Sequence, residues 1–260
     1  MAAPVLRALV TGASAGLGAA FASTLAGRGV DLVLVARRED RLRALADDLP
    51  VDVEVLPADL TDRDQLATVE TRLAADTDPV DLLVNDAGFG AYGPVAGSDP
   101  DRATAMIDVN VGALTRLTHA VLPQLVERQV GGVINVGSTA GFQPGPNGAV
   151  YGATKAYVRW FTEALHVELA DEDVHALLLA PGVTTTEFQS VAEVPDGAVP
   201  GPLMMAPDTV VDAALRAFSR GDAVCVPGVA NRAAAIGSQV VPSAVTRRIS
   251  GLVHRRFAGR

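Results

Sequence analysis

Short apolar runs recur along the chain, and longer stretches rich in Ala, Leu and Arg lie between them. The runs are Leu6 to Thr11, Asp31 to Ala36, Val51 to Leu56, Val80 to Asn85, Gly132 to Ser138, Val174 to Ala180 and Asp222 to Val226. They are rich in β-branched residues, so they read as strands. Their apolar character is nearly continuous rather than alternating, as in strands buried on both faces of a parallel sheet. A helical stretch between each strand and the next predicts an α/β fold, a doubly wound parallel sheet of about seven strands with helices on both faces. Ligands of such a sheet bind at the carboxyl ends of its strands.

Composition narrows this picture without redirecting it. No internal repeat or linker divides the chain, and 260 residues with a hydrophobic fraction of 49% suit a single domain over residues 1–260 with an aliphatic core, aromatics being 4%. Mean hydropathy is positive, at +0.27. Buried strands and Ala-rich helices account for that, and no apolar stretch reaches the ~18 residues expected of a spanning helix. The start, Met1-Ala2-Ala3-Pro4-Val5-Leu6-Arg7, lacks the basic region and apolar core of a secretory signal, which predicts a cytoplasmic protein. Cys225 is the only cysteine, so an internal disulfide is excluded. A net charge of −9 argues against nucleic acid as the partner. His119, His166 and His175 lack metal-ligand spacing, and no metal site is expected.

The first strand runs into Thr11-Gly12-Ala13-Ser14-Ala15-Gly16-Leu17-Gly18, and an apolar helix follows. Three glycines at a strand-to-helix turn suit a dinucleotide pyrophosphate: one allows the tight turn, one a close backbone approach, one close packing of helix on sheet. The spacing, Gly-x-x-x-Gly-x-Gly, is not the commonest dinucleotide fingerprint, and a Gly-rich turn can also be a packing device alone. The second strand ends Val35-Ala36-Arg37-Arg38, with no acidic residue to accept from a ribose 2′-hydroxyl. Arg37 and Arg38 can instead pair with a 2′-phosphate, so NADP(H) is the expected cofactor. The other reading is that both arginines only cap the helix beginning at Glu39. Asp59 either accepts from an adenine amino group or is a turn aspartate before Thr61-Asp62.

Lys155 is the only lysine, against twenty arginines, and stands four residues after Tyr151. An exposed cation can be either residue, but a compact ammonium beside a phenol cannot be replaced by a planar guanidinium. On a helix over 150–170 the two share a face. An adjacent cation would lower the phenol from its free value near ~10, roughly 1.4 kcal/mol per pH unit, and make Tyr151 a general acid/base. Taken alone, the spacing also fits a surface helix that happens to carry both residues.

In chain order, Thr11 to Gly18, Asp59-Leu60, Asn85-Asp86-Ala87-Gly88, Asn110, Ser138, Tyr151 to Lys155 and Pro181-Gly182 resemble the motifs of the short-chain dehydrogenase/reductase family, in its compact single-domain branch. The resemblance implies a Rossmann-like fold and an NADP(H)-dependent oxidoreductase acting on a carbonyl/alcohol pair. It implies Asn110, Ser138, Tyr151 and Lys155 as the catalytic residues. Tyr151 would exchange the proton, Ser138 would orient the substrate oxygen, and Lys155 would hold the nicotinamide ribose and lower the Tyr151 pKa. Asn110, a poor filler for the long helix predicted around it, would mark an irregularity holding a water that links Lys155 to solvent. The implied cofactor residues are Gly12, Ser14, Ala15, Gly16, Leu17, Gly18, Arg37, Arg38, Asp59, Leu60, Asn85, Ala87, Gly88, Tyr151, Lys155, Pro181, Gly182, Val183 and Thr184. Asp86 stands where the family usually has a second Asn, a carboxylate in place of an amide; it either ionises among donors or is held neutral by burial.

The family's pocket loops here supply Phe89, Tyr92, Phe142, Gln143, Pro144, Asn147, Phe188, Val191, Val194, Leu203, Met204 and Met205. They point to a small hydrophobic carbonyl or alcohol substrate, with residues 187–207 as an adaptable lid and 228–260 as a C-terminal extension. The long helices near 102–128 and 150–171 resemble the pairs that the family uses to form dimers and tetramers, so the resemblance implies a homodimer or homotetramer. Basic residues 247–260 allow a peripheral membrane contact, with a lipid-like carbonyl as substrate. A cofactor-binding regulator or scaffold on the same fold is the remaining alternative.

Overall fold

The computed structural model describes residues 5–187 and 204–241. Seven parallel strands form one sheet in the order β3-β2-β1-β4-β5-β6-β7. They are β1 (Arg7–Thr11), β2 (Asp31–Ala36), β3 (Val53–Pro57), β4 (Leu82–Asn85), β5 (Gly132–Val136), β6 (His175–Leu179) and β7 (Val224–Cys225). Each falls within a run predicted from the sequence or overshoots it by one residue. The runs are longer than the strands because their apolar character continues into the flanking turns.

Alternation along the strands sends most of their side chains to two large cores, with a smaller third cluster around Leu178, Leu114 and Val158. Ala8, Val10, Leu32, Leu34 and Val84 pack on one side with Phe21, Leu25, Leu42 and Phe218. Leu9, Val33, Leu83 and Val133 pack on the other with Leu66, Leu117, Val121 and Leu165. The first core is covered by α1 (Gly16–Ala26), α2 (Glu39–Asp47) and α7 (Pro207–Ser219). The second is covered by α3 (Arg63–Leu73), α5 (Leu114–Arg128) and α6 (Ala149–Glu168). The sheet is thus wound on both faces, as the sequence pattern requires.

Local chemistry sets where helices begin. Asp62 caps α3 by accepting from Asp64 N and Gln65 N, both at 3.0 Å. Asp99 does the same for α4 (Pro100–Ile107), accepting from Asp101 N at 2.9 Å, with Pro100 in the first turn. The single long helix predicted around 102–128 is interrupted: a π turn, Asp108–Ala113, separates α4 from α5. A last helix, α8 (Val229–Val240), follows β7. No described helix is long and apolar enough to cross a membrane.

Candidate active site

The strand order reverses between β1 and β4, and a cavity of about 620 Å³ opens there at the carboxyl edge of the sheet. This is the crevice in which doubly wound sheets bind ligands. Gly12, Ser14, Ala15, Gly16 and Leu17 form one wall. Gly12 has φ +72°, and a Cβ there would lie 3.0 Å from Ala87 N, so the turn can hug the end of β4 only as glycine. Gly18 has no place in the cavity wall. A Cβ on it would stand 2.5 Å from Gly12 O, so this third glycine lets α1 pack against the turn.

At one end of the cavity Arg38 donates from Nε and Nη2 to Ser14 Oγ, at 3.2 and 3.1 Å, and from Nη1 to Glu187 Oε2 at 3.0 Å. Arg41 Nη1 reaches the other carboxylate oxygen at 2.7 Å. These two guanidiniums, Arg41 first, hold the Glu187 carboxyl below its usual range. Arg37 is more exposed and lies 3.9 Å from Asp59 Oδ2. Asp59 and Leu60 line the same end. Asp59 Oδ1 accepts from Thr61 N at 3.0 Å and Thr61 Oγ1 at 2.8 Å, the turn geometry that was the second reading of this residue.

The other end holds Ser138, Tyr151 and Lys155 in one wall. Ser138 begins the turn after β5, and its Oγ accepts from Ala140 N at 3.1 Å. Its hydroxyl also hydrogen-bonds the Tyr151 phenol, which lowers that phenol's pKa. Burial acts the other way and prevails, so the Tyr151 pKa is raised above its usual value, with Tyr92 and Asp86 adding to the rise. This corrects the expectation that Lys155 depresses it. The Lys155 ammonium lies 6.0 Å from the Tyr151 ring centre and donates to Val136 O at 2.8 Å. Burial lowers the Lys155 pKa to about 8, against the opposing pull of Asp86.

Asn110 stands in the π turn and is 1% exposed, behind the cavity rather than in its wall. Its Oδ1 accepts from Phe89 N at 3.1 Å, and its Nδ2 donates to Phe89 O at 3.0 Å and Thr154 Oγ1 at 3.1 Å. The side chain is therefore fully engaged in tying the loop after β4 to α6. The helix irregularity expected around Asn110 is present, and π turns of this kind interrupt the ordinary carbonyl pairing of a helix.

Asn85, expected among the cofactor residues, faces away from the cavity. Its Nδ2 donates to Thr118 Oγ1 at 3.1 Å and Asn135 Oδ1 at 2.9 Å, and Asn135 Nδ2 continues to Thr162 Oγ1 at 3.0 Å. A polar ladder thus crosses the sheet from α5 to α6, through two asparagines in direct register. Two polar side chains inside adjacent apolar strands were its sequence signal, because buried amides need partners.

Ala87, Gly88, Pro181, Gly182, Val183 and Thr184 all reach the cavity, as do Phe89, Tyr92, Phe142 and Gln143. Pro144, Asn147 and Met205 do not line it. Met205 N donates to Val183 O and Thr185 N to Met205 O, each at 3.0 Å, so the segment just before the expected lid is clipped to the lid's C-terminal part. Phe188, Val191, Val194 and Leu203 lie outside the described residues, as does most of the 187–207 lid and all of 247–260. Sequence reasoning missed Asn231, Ala234, Ala235 and Ser238, through which α8 closes the cavity. Ser238 Oγ and Gln239 Nε2 donate to Phe142 O at 3.2 and 3.1 Å, a contact across 96 residues that no local pattern announces.

A glycine turn at the switch point and a Ser-Tyr-Lys set at the same carboxyl edge define an oxidoreductase of the doubly wound class. Residues 7–194 match the family described as short chain dehydrogenase, and the chain belongs to it. Over 188 residues it is 43% identical to sulfoacetaldehyde reductase 2 of Chromohalobacter salexigens, spanning 70% of this chain and 74% of that one. It is 40% identical over 185 residues to the NADP-dependent 3-hydroxy acid dehydrogenase YdfG of Salmonella typhi, spanning 70% and 75%. Among solved structures it resembles a short-chain dehydrogenase from Sphingobium yanoikuyae in complex with NADPH, with a TM-score of 0.82, 38% identity and coverage of 90% and 93%. The bulky-bulky ketone specific alcohol dehydrogenase of Comamonas testosteroni gives a TM-score of 0.77, 32% identity and coverage of 92% and 96%.

Proposed function

We propose that this oxidoreductase uses NADPH to reduce an uncharged hydrophobic ketone or aldehyde, or NADP+ to oxidise the corresponding alcohol, with Tyr151 as general acid/base. The observation that carries the reading is the meeting of the Tyr151 and Ser138 hydroxyls in the wall of the cavity that the glycine turn also lines. The cofactor fits the residues present. Gly12 leaves room for a pyrophosphate beside α1, and the Glu187 carboxylate, an anion held by Arg38 and Arg41, stands in for a phosphate at the adenosine end. NADP is named for a relative and NADPH for a structural neighbour that cover most of this chain, which supports the same choice.

The nicotinamide supplies the hydride chemistry at the substrate carbon. For reduction, Tyr151 gives its proton to the substrate oxygen, and its raised pKa keeps it protonated until that oxygen develops negative charge. Ser138 donates to the same oxygen and so orients it. Lys155 and Thr184, both in the cavity wall, would hold the cofactor's ribose and carboxamide side. Asn110 fixes the loop that carries Phe89 against α6.

Phe89, Tyr92, Phe142, Val183 and Ala235 surround the catalytic end. Among the described residues the two arginines of the wall, Arg37 and Arg38, are both at the far end, while Arg102 and Arg159 lie over the Phe89 and Phe142 rings without lining the cavity. That supports an uncharged carbonyl over a sulfonated or carboxylated one. NADPH oxidation over a panel pairing bulky apolar ketones and aldehydes with anionic aldehydes tests it. The apolar set should show the higher kcat/KM; a preference for the anionic set would contradict the substrate assignment while keeping the chemistry.

A homo-oligomer is part of the proposal. Tyr157, Trp160 and Val167 are 39%, 65% and 71% exposed and share one face of α6. Such an apolar stripe on a surface helix suits a two-fold interface with a second copy. Trp160→Glu should shift the protein to a smaller species in size-exclusion chromatography with light scattering; an unchanged mass would exclude this face.

A further inference from the structure

The wall that α8 and the turn after β5 give the cavity is held from outside it. The 3-10 turn Thr139–Phe142 lies against α6: a Cβ on Gly141 would stand 2.5 Å from Lys155 O, so backbone rests on backbone. One helical turn further along α6 stands Arg159. Its guanidinium lies 4.2 Å from the centre of the Phe142 ring. From the same group Nε donates to Glu163 Oε1 at 2.6 Å and Nη2 to Gln239 Oε1 at 2.9 Å. Gln239 Nε2 then donates to Phe142 O at 3.1 Å. The carboxamide fits only this way round, because a guanidinium only donates and a backbone carbonyl only accepts. Ser238 adds less, since its one hydroxyl proton is divided between Phe142 O at 3.2 Å and Ala235 O at 2.7 Å.

Three elements far apart in sequence are thus closed into one circuit of contacts: α6, the Phe142 turn and α8. A planar guanidinium can stack through its face and donate through its edge at once, which an ammonium cannot do. Neither Arg159 nor Gln239 lines the cavity, whereas Phe142, Asn231, Ala234, Ala235 and Ser238 do. The side chains that α8 turns to the cavity are small, so packing there holds the helix only weakly. Since α6 also carries Tyr151, this circuit sets the distance between the wall and the reacting hydroxyl.

We propose that Arg159 and Gln239 are positioning residues for substrate selection: they clasp the Phe142 turn and α8 to α6, so that the wall meets the far side of a bulky ketone held at Tyr151. The inference rests on reading Tyr151 as the site of reaction. A small ketone ends before this wall and does not need it.

NADPH-dependent reduction of butanone and of dicyclohexyl ketone is compared in wild type, Arg159→Met, Arg159→Lys and Gln239→Ala. Gln239 is exposed near the end of α8, so its truncation spares the core. In Arg159→Met and Gln239→Ala the KM for dicyclohexyl ketone should rise about tenfold, with kcat and both butanone constants within about twofold of wild type. Arg159→Lys should behave like Arg159→Met, because charge alone does not make the clasp. The double variant Arg159→Met/Gln239→Ala should lose no more than either single change. Equal losses on both ketones, unchanged KM values, a wild type that takes only butanone, or full function in Arg159→Lys would overturn the proposal. Amide hydrogen exchange in the cofactor-free protein reads the clasp without turnover: α8 should exchange about tenfold faster in Gln239→Ala, and unchanged exchange would overturn the clasp. A wild type that reduces neither ketone, beside faster exchange in Gln239→Ala, would defeat the functional reading and uphold the clasp.

Discussion

Arg38 and Glu187 meet across the mouth of the cavity, Nη1 donating to Oε2 at 3.0 Å, while the rest of the guanidinium rests on Ser14 Oγ. The cavity thus carries its own carboxylate on the cation that suits a 2′-phosphate. The phosphate must compete with Glu187 for Arg38. Removing the competitor and removing the cation should therefore act in opposite directions. Glu187→Gln should tighten NADPH binding, and Arg38→Ala should weaken it about tenfold or more with little effect on NADH. Fluorescence titration with both cofactors checks this; equal losses for NADPH and NADH in Arg38→Ala would remove Arg38 from phosphate recognition.

Gly18 is required for space. Alanine has the higher helix propensity by about 1 kcal/mol, but its Cβ would press on the backbone oxygen of Gly12, which cannot swing aside. Gly18→Ala should lose about 1–3 kcal/mol in urea denaturation. Gly112→Ala is the control: nothing lies within 4 Å of its added Cβ, so it should be neutral or stabilising by up to about 1 kcal/mol.

The Asn85–Asn135 ladder gives a prediction of unequal costs. Asn135 has both ends paired, whereas Asn85 Oδ1 is buried without a hydrogen-bond partner. Asn135→Val should therefore cost about 1–3 kcal/mol, and Asn85→Val less. The double variant should cost less than the sum, because the second substitution removes a group already left unpaired. Additive costs in a denaturation cycle would show that the ladder does not act as a unit.

Much of this was legible in the chain. Strands buried on both faces announce themselves as continuous apolar runs, so all seven are legible in the sequence, and Gly12 to Gly18 mark a cofactor-binding turn after the first of them. Tyr151 and Lys155 were legible because a lone lysine among arginines is chemically informative. Three things were not. The direction of the Tyr151 pKa depends on how deeply the phenol is buried, which spacing cannot state. Asn85 was assigned by motif to the cofactor, though its strand register turns it toward Thr118 and Asn135. The wall supplied by Asn231, Ala234 and Ser238 depends on α8 folding back over Phe142, a long-range contact with no sequence signature.

The central claim is that the Tyr151 hydroxyl moves the proton at the reacting oxygen. The most direct measurement is single-turnover oxidation of bound NADPH by wild type and Tyr151→Phe with one accepted carbonyl, with the NADPH dissociation constant measured on both proteins. The account predicts that Tyr151→Phe binds NADPH as the wild type does and loses about 10²- to 10⁴-fold in rate. A Tyr151→Phe protein that binds NADPH and turns over at the wild-type rate would contradict it.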